Sequence, residues 1–126
     1  MAYQGYRDLK VYQLSYQLAM EIFQITKEFP RDEKYSLIDQ IRRSSRSIPG
    51  NLAEAWMKRR YIKSFITKII DCCGEAGETE VWLTMAKDAG YITDDKFSRL
   101  YKGYQEVNSM LHGMINKADK FCINES

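Results

Sequence analysis

The chain of 126 residues has the length of one domain, and its 44% apolar and 13% aromatic content is sufficient for a hydrophobic core, which excludes a disordered protein. No stretch resembles a secretory leader or approaches the roughly 18 uninterrupted apolar residues of a membrane span. We therefore expect a single domain over residues 1–126 in the cytoplasm, without a membrane as partner. The net charge is only +2, yet residues 31–63 carry nine Lys or Arg against four Asp or Glu, and residues 71–95 carry one against seven.

The spacing of apolar residues predicts four long helices joined by short connections, over about residues 8–29, 33–58, 61–89 and 93–121. Asp8 is a candidate N-cap for the first helix, Pro30 ends it, and Asp32 is placed to cap the second. Thr93 is a candidate N-cap for the fourth. Short connections make successive helices antiparallel neighbours, so the expected fold is all-α: an up-down-up-down four-helix bundle.

The second helix carries a core face and a basic face. The core face, at 100° per residue, consists of Leu37, Ile41, Ser44, Ile48, Leu52 and Ala55. Arg42, Arg43 and Arg46 cluster on the opposite face. Pro49 marks a kink or a break; Asn51 followed by Glu54 would cap a new helix after a break, but the apolar face stays in phase, which favours a kink.

The third helix has two apolar stripes. The first is a heptad seam, formed by Phe65, Ile69, Cys72, Ala76, Thr79, Leu83 and Ala86. The second lies roughly 120° around the helix and is formed by Ile62, Ile66, Ile70, Cys73, Gly77 and Val81. A monomer has little reason to expose it, so we expect it to pack against another subunit. Gly74 and Gly77 weaken the helix, a cost that a closely packed neighbouring helix would offset.

Residue types argue against catalysis and metal binding. Three cysteines without CxxC spacing predict neither disulfides nor zinc, and His112 is the only histidine. A di-iron bundle site requires Glu-x-x-His, which is missing. The acidic residues Asp71, Glu75 and Glu78 form either a solvated face or a surface that pairs with basic residues of another subunit or partner. We expect no metal, no cofactor and no enzymatic activity.

Seven basic residues are candidates for contacts with nucleic-acid phosphates: Arg42, Arg43, Arg46, Lys58, Arg59, Arg60 and Lys63. The competing interpretation is a solvated face whose cations pair within or between subunits. Trp56 and Tyr61 are placed to stack on bases, although aromatic side chains beside a helix end more often serve packing.

The stretch Gln40-Ile41-Arg42-Arg43-Ser44-Ser45-Arg46-Ser47-Ile48-Pro49-Gly50-Asn51-Leu52-Ala53-Glu54 resembles the four-helix-bundle family of 23S ribosomal RNA intervening-sequence proteins. The resemblance continues through Tyr6-Arg7-Asp8-Leu9-Lys10-Val11-Tyr12 and Ala86-Lys87-Asp88-Ala89-Gly90-Tyr91-Ile92, and covers nearly the whole chain. It implies a bacterial cytosolic bundle that assembles as a ring, commonly a homopentamer, without catalysis. The family is similar to the accessory protein of diversity-generating retroelements, a basic pentameric ring that binds a reverse transcriptase and nucleic acid.

By position, the resemblance makes Arg42, Arg43 and Arg46 phosphate contacts, and it gives Asn51 and Glu54, beside Pro49, a role in the kink or in subunit contacts. The chain departs from the family pattern at Ala55-Trp56, where a Gly-containing turn is usual, and at Glu75, where Ser is typical.

Two functions follow from these features. The first is a noncatalytic homo-oligomer that binds nucleic acid, RNA before DNA, through the basic face of the second helix. The alternative is a scaffold ring that binds a partner protein such as a polymerase. In both, the predicted oligomer interface consists of Ile62, Ile66, Ile70, Val81 and Trp82.

Overall fold

The computed structural model describes residues 3–123, so residues 1, 2 and 124–126 of the predicted domain lie outside it. Four long helices pack together: α1 (Lys10–Thr26), α2 (Leu37–Met57), α3 (Ile62–Asp88) and α4 (Asp94–Asn116). A short helix, α5 (Ala118–Phe121), follows, and 3-10 turns occupy Tyr6–Asp8 and Arg31–Glu33. Residues 3–123 contain no strand, which confirms the all-α class.

The heptad seam of α3 is confirmed, because all seven of its predicted residues are fully buried. The predicted core face of α2 is buried as well. Its polar member, Ser44, lies with its Oγ atom 2.8 Å from Oγ1 of Thr79 in the α3 seam. Thr79 Oγ1 also lies 2.8 Å from the carbonyl oxygen of Glu75, so the buried hydroxyl groups are satisfied inside the core.

The first connection differs from the prediction. α1 begins at Lys10, because Asp8 belongs to the first 3-10 turn, where its carboxylate accepts the Gln4 N–H group at 2.8 Å. It ends at Thr26, and the chain then tightens into i to i−3 hydrogen bonds before Pro30. α2 begins at Leu37, later than expected, because the second 3-10 turn intervenes.

The residue that supports the start of α2 is Glu33, so the prediction that Asp32 caps it is wrong. The Glu33 carboxylate accepts the Ser36 hydroxyl at 2.6 Å and the Leu37 N–H group at 3.4 Å. A second carboxylate oxygen accepts the Tyr91 hydroxyl at 2.8 Å. These hydrogen bonds, that from Ser36 first, lower the pKa of Glu33 and favour its charged form.

The α3 to α4 connection agrees with the sequence. Gly90 has a φ of 81°, and the N–H groups of Gly90 and Tyr91 bond the carbonyls of Lys87 and Ala86 at 2.9 Å, which is a Schellman motif. Thr93 caps α4 by accepting the Lys96 N–H group at 3.2 Å. At its other end α4 stops at Asn116 instead of residue 121, and the turn at Lys117 leads into α5.

α2 runs without interruption from Leu37 to Met57 through Pro49, so no new helix begins at Asn51. Asn51 and Glu54 both point to Lys68 of α3: the Lys68 Nζ atom lies 3.4 Å from the Asn51 amide oxygen and 2.7 Å from the Glu54 carboxylate. The hydrogen bond between Lys68 and Glu54 lowers the pKa of Glu54 and raises that of Lys68. The two residues therefore join α2 to α3.

Candidate functional site

Arg42 is half-buried and holds α2 against α1. Its Nε atom donates to the Thr26 hydroxyl at 2.8 Å, and one terminal nitrogen donates to the Phe23 carbonyl at 3.3 Å. The guanidinium also lies over the Phe23 ring, 4.8 Å from its centre. Burial, and to a smaller extent the neighbouring Arg46, lowers the Arg42 pKa. Two of the five N–H donors of this guanidinium are therefore used within the fold, and both join α2 to α1.

Arg43 points to the opposite side of α2. It forms ion pairs with Glu75, at 3.3 Å, and with Glu78 of α3. Asp71 lies 3.9 Å from the Lys68 Nζ atom. All three acidic residues predicted to be solvated or to pair with another molecule are thus paired within the chain. Arg46 is exposed on the α1 side, 5.6 Å from the centre of the Phe23 ring. The three arginines of the predicted basic face are divided between two grooves.

The other four predicted cations lie where α2 ends and α3 begins. Lys58, Arg60 and Lys63 are exposed. Arg59 is half-buried, with its guanidinium 3.7 Å from the centre of the Trp56 ring and its Nε donating to the Trp56 carbonyl at 2.8 Å. Trp56 itself is buried, which favours the packing interpretation of this ring.

The fold brings further cations to this end of the bundle. The Ile123 N–H group bonds the Arg59 carbonyl at 3.0 Å, and the Phe121 ring stacks on Phe65 of α3, with 6.1 Å between ring centres. The Tyr3 ring lies 5.8 Å from Phe121 and 6.3 Å from Trp56. Residues 3–10, 57–63 and 116–123 therefore meet in space, and we call them the basic end.

The basic end contains eight Lys or Arg residues against two Asp or Glu. Four of these cations escaped the sequence analysis: Arg7, Lys10, Lys117 and Lys120. They lie 48 to 62 residues from Lys58 in the sequence, but the predicted succession of short connections already implied that these helix ends meet. Lys10 and Lys117 border a pocket of about 240 Å³ whose other lining is mostly apolar, including Leu9, Val11 and Met114.

Most of the predicted oligomer interface is exposed on α3. Ile62, Ile70 and Val81 are 43%, 54% and 50% exposed, and Ile66 is half-buried against the core. Met85, which the sequence analysis omitted, extends this surface at 51% exposure. We call these five residues the α3 outer face. No described atom outside the helix lies within 4 Å of a Cβ built on Gly74 or Gly77.

Trp82 borders the α3 outer face at Met85 without belonging to it. It is half-buried on the α2 side, where its Nε1 atom donates to the Glu78 carboxylate at 3.3 Å. Together with Leu37, Gln40 and Met85 it lines an open pocket of about 460 Å³ between α2 and α3.

The remaining reactive groups are placed as structural residues. The Cys72 thiol is buried 3.6 Å from the Ile48 carbonyl, and burial raises its pKa. His112 is exposed on α4. In the part of the chain that the structure describes, no three His, Cys, Asp or Glu side chains converge on a position that would hold a metal ion, and none of the described helices is long and apolar enough to cross a membrane.

Comparison with known proteins agrees with this geometry. A crystal structure of a Bacteroides thetaiotaomicron protein of unknown function, from the S23 ribosomal protein family, superposes with a TM-score of 0.75 at 30% identity, covering 83% of this chain and 97% of that one. No curated protein matches the chain. The family model for the 23S rRNA-intervening sequence protein matches residues 7–113. The chain therefore belongs to the 23S rRNA-intervening sequence protein family.

Proposed function

We propose that the protein is a noncatalytic, self-associating helical protein that binds nucleic acid, RNA in preference to DNA, chiefly through the basic end. The observation that carries the proposal is the meeting of eight cations with only two acids at one end of the bundle. Cations spread over a surface of this size match successive phosphates of a polyanion and release its counterions. The family is named for an intervening sequence of 23S rRNA, and we therefore test RNA before DNA.

The helix-two arginines have a smaller part in this proposal than the sequence pattern implied. Arg42 and Arg43 bond to other groups of the chain, so a phosphate would compete with those contacts for the guanidinium groups. Arg46 is exposed on the α1 side and remains available for a phosphate contact without loss of a helix-joining hydrogen bond. We therefore place the main electrostatic contribution at Lys58, Lys63 and their neighbours.

The test is the salt dependence of RNA affinity in a variant that lacks four lysines of the basic end. These are replaced by glutamine: Lys58, Lys63, Lys117 and Lys120. Each phosphate contact contributes about 0.7 to the slope of log affinity against log salt for single strands, so four losses lower the slope by up to about 3.

A matched control replaces four lysines located elsewhere: Lys27, Lys34, Lys87 and Lys96. Fluorescence anisotropy with labelled single-stranded RNA, duplex RNA and duplex DNA measures all three proteins. The proposal requires the control to keep the wild-type slope and requires RNA to bind more tightly than DNA. Equal slopes in the two variants, or no binding by the wild type at low salt, would remove it.

Self-association is supported by the α3 outer face. Four exposed apolar side chains along one helix, together with half-buried Ile66, form the type of patch that monomers rarely expose. A ring, such as the pentamer that the family resemblance implies, requires this face to meet a different surface of the next copy. Light scattering is expected to give a multiple of 14.8 kDa, reduced in Ile70→Glu. A 14.8 kDa particle at micromolar concentration would contradict this assignment.

Absence of catalysis is part of the same proposal, supported by the state of the serine hydroxyls on α2. Ser45 and Ser47 donate to the carbonyls of Arg42 and Arg43 at 3.2 and 2.8 Å, so these hydroxyls are used within the helix. If purified protein hydrolyses labelled RNA and every binding variant does so at the same rate, the hydrolysis would be attributed to a contaminant. Hydrolysis lost in a variant would refute noncatalysis.

The second candidate function, a scaffold for a partner protein such as a polymerase, is favoured by the pocket beside Trp82. An aromatic side chain in an open pocket is a common anchor of protein interfaces. A protein that remains bound after nuclease treatment, and is lost in Trp82→Glu or Val81→Glu, would support this function. If nucleic acid alone co-purifies, the scaffold function loses its support.

A further inference from the structure

A row of tyrosines lies along the groove between α1 and α2. The ring centres of Tyr6 and Tyr12 are 5.0 Å apart, in an edge-to-face arrangement, and those of Tyr12 and Tyr16 are 6.0 Å apart. Tyr16 is 52% exposed, and Met20, one turn further along α1, is 46% exposed. These side chains line a pocket of about 360 Å³, which we call the tyrosine groove.

Small residues line the groove on the α2 side. The groove is bounded there by Pro49, Gly50 and Ala53, and on the α1 side by Ala19. A Cβ built on Gly50 meets nothing within 4 Å, so the space above the helix is open at this point. Small residues facing a row of rings leave room for a flat group to lie against the tyrosine faces.

The charged side chain that lines the groove is positive, and Glu21, which lies beside Tyr16 and Met20 in the adjoining pocket, is paired with Arg99. Arg46 lines the groove, and the guanidinium of Arg7 lies 5.0 Å from the centre of the Tyr6 ring. None of the nine lining residues is Asp or Glu. Because Tyr6 and Arg7 belong to the basic end, the groove begins there and continues along α1 and α2 as far as Arg46.

Aromatic faces beside cations are the features by which proteins bind unpaired nucleotides. Bases stack on the rings and phosphates contact the arginines, with little dependence on sequence. In a duplex the bases are already stacked on each other and their faces are covered. An aliphatic peptide would gain little from the arginines, so the groove favours a ligand that is both flat and anionic.

We propose that the tyrosine groove binds unpaired RNA, stacking bases on Tyr12 and Tyr16 while Arg7 and Arg46 contact the phosphates. This inference rests on the proposed function and adds to it a ligand class, single-stranded or looped segments. The basic end carries two exposed rings, Tyr3 and Tyr61, that are separate from this row. The groove adds adjacent rings beside cations, and we assign to it the main discrimination between unpaired and duplex RNA.

The experiment compares binding of a labelled oligouridylate of about 12 nucleotides, within the range of known single-strand sites, with binding of an RNA duplex of similar length. In Tyr12→Leu/Tyr16→Leu the affinity for the single strand is expected to fall by about tenfold or more. The affinity for the duplex stays within about twofold. The matched control is Tyr35→Leu, since Tyr35 is 85% exposed and outside the groove.

A second variant tests the groove without removing a ring. Gly50→Gln places a side chain in the open space above α2 and is expected to lower single-strand affinity by a similar factor while the helical circular dichroism is unchanged. If both groove variants bind the single strand as tightly as the wild type, the inference is refuted although the basic end remains. If the wild type binds no RNA at low salt, the proposed function fails as well.

A second copy of the chain is the competing occupant of this groove. In that case light scattering would give a lower mass for the groove variants than for the wild type. Their affinity for the single strand would be unchanged. That outcome would overturn the inference and assign the tyrosines to the subunit interface.

Discussion

Replacing Gly74 and Gly77 of α3 by alanine is expected to stabilise the single chain. Both glycines are inside the helix, where alanine is favoured over glycine by about 1 kcal/mol at each position. A Cβ at either position meets no described atom outside the helix within 4 Å, so the methyl groups cause no clash within the chain. The expected gain is about 2 kcal/mol, and each kcal/mol raises the thermal midpoint by roughly 3–5 °C in a chain of this size.

The same pair of substitutions is expected to weaken self-association. A closely packed helix would offset the cost of these glycines, and no described helix of the chain lies within 4 Å of a Cβ built on either of them. A second copy is the remaining candidate. Two added methyl groups in such a contact cost about 1–3 kcal/mol by overpacking, and every 1.4 kcal/mol raises the dissociation constant about tenfold.

Two measurements are needed. Urea unfolding, at a concentration where the wild type is dissociated, measures the stability of the single chain, and sedimentation over a dilution series measures the dissociation constant. Gly113→Ala is the control: it lies inside α4, also has nothing within 4 Å, and is away from the α3 outer face. It should stabilise the chain without changing association. The reasoning is refuted if the Gly74/Gly77 variant is less stable than the wild type, or if it associates as tightly as the control.

Three further outcomes are expected. Gly103→Ala should lower the free energy of unfolding, measured in urea, by about 1 kcal/mol. The new Cβ would lie 2.8 and 3.0 Å from the methyl carbons of buried Leu18, and this overpacking outweighs the higher helix propensity of alanine. A more stable variant would contradict this prediction. The free energy of unfolding of the wild type should fall as the pH drops below 4.5, because the unfolded chain binds a proton at Glu33 more readily than the folded chain does. Glu33→Gln should make that fall less steep. An unchanged pH profile in the variant would show that the Glu33 carboxyl does not contribute to it. The double variant Ser44→Ala/Thr79→Val should lose less free energy of unfolding than the sum of the two single variants, by about 1 kcal/mol, because it leaves neither hydroxyl buried without its partner. Strictly additive losses would refute this coupling.

The parts of the fold that the sequence predicts well are those determined within one helix. The period of Phe65, Ile69 and their successors requires only that one face be buried, and Gly90 and Thr93 act through backbone groups a few residues away. The start of α2 depends on a distant residue. Glu33 is held by Tyr91, which is 58 positions later in the chain, so Asp32 and Glu33 could not be distinguished as capping residues from local pattern alone.

The candidate site was predicted less completely, for a geometric reason. A helical projection gives the direction of a side chain relative to its own helix, and it does not say which neighbour lies there. Arg42 and Arg43 are separated by 100° on α2, and this separation directs one to α1 and the other to α3. The basic end is different, because the short connections already predicted that these helix ends meet. Lys117 was missed because it lies outside residues 31–63, where the positive charge is concentrated along the sequence.

The basic pattern on α2 is explained by its position between two helices. Arg42 bonds to α1, Arg43 pairs with α3, and Glu54 bonds to Lys68 of α3, so the polar residues of the pattern join helices as its apolar residues form the core. The packing of this chain uses the pattern whatever the ligand. The pattern therefore identifies the fold and the family more directly than it identifies a binding surface. At the basic end the helices terminate, and fewer neighbouring helices remain to engage the cations there. Differences in ligand among proteins of this fold should accordingly be sought at the helix ends and in the tyrosine groove, where substitution leaves the helix-joining contacts unchanged.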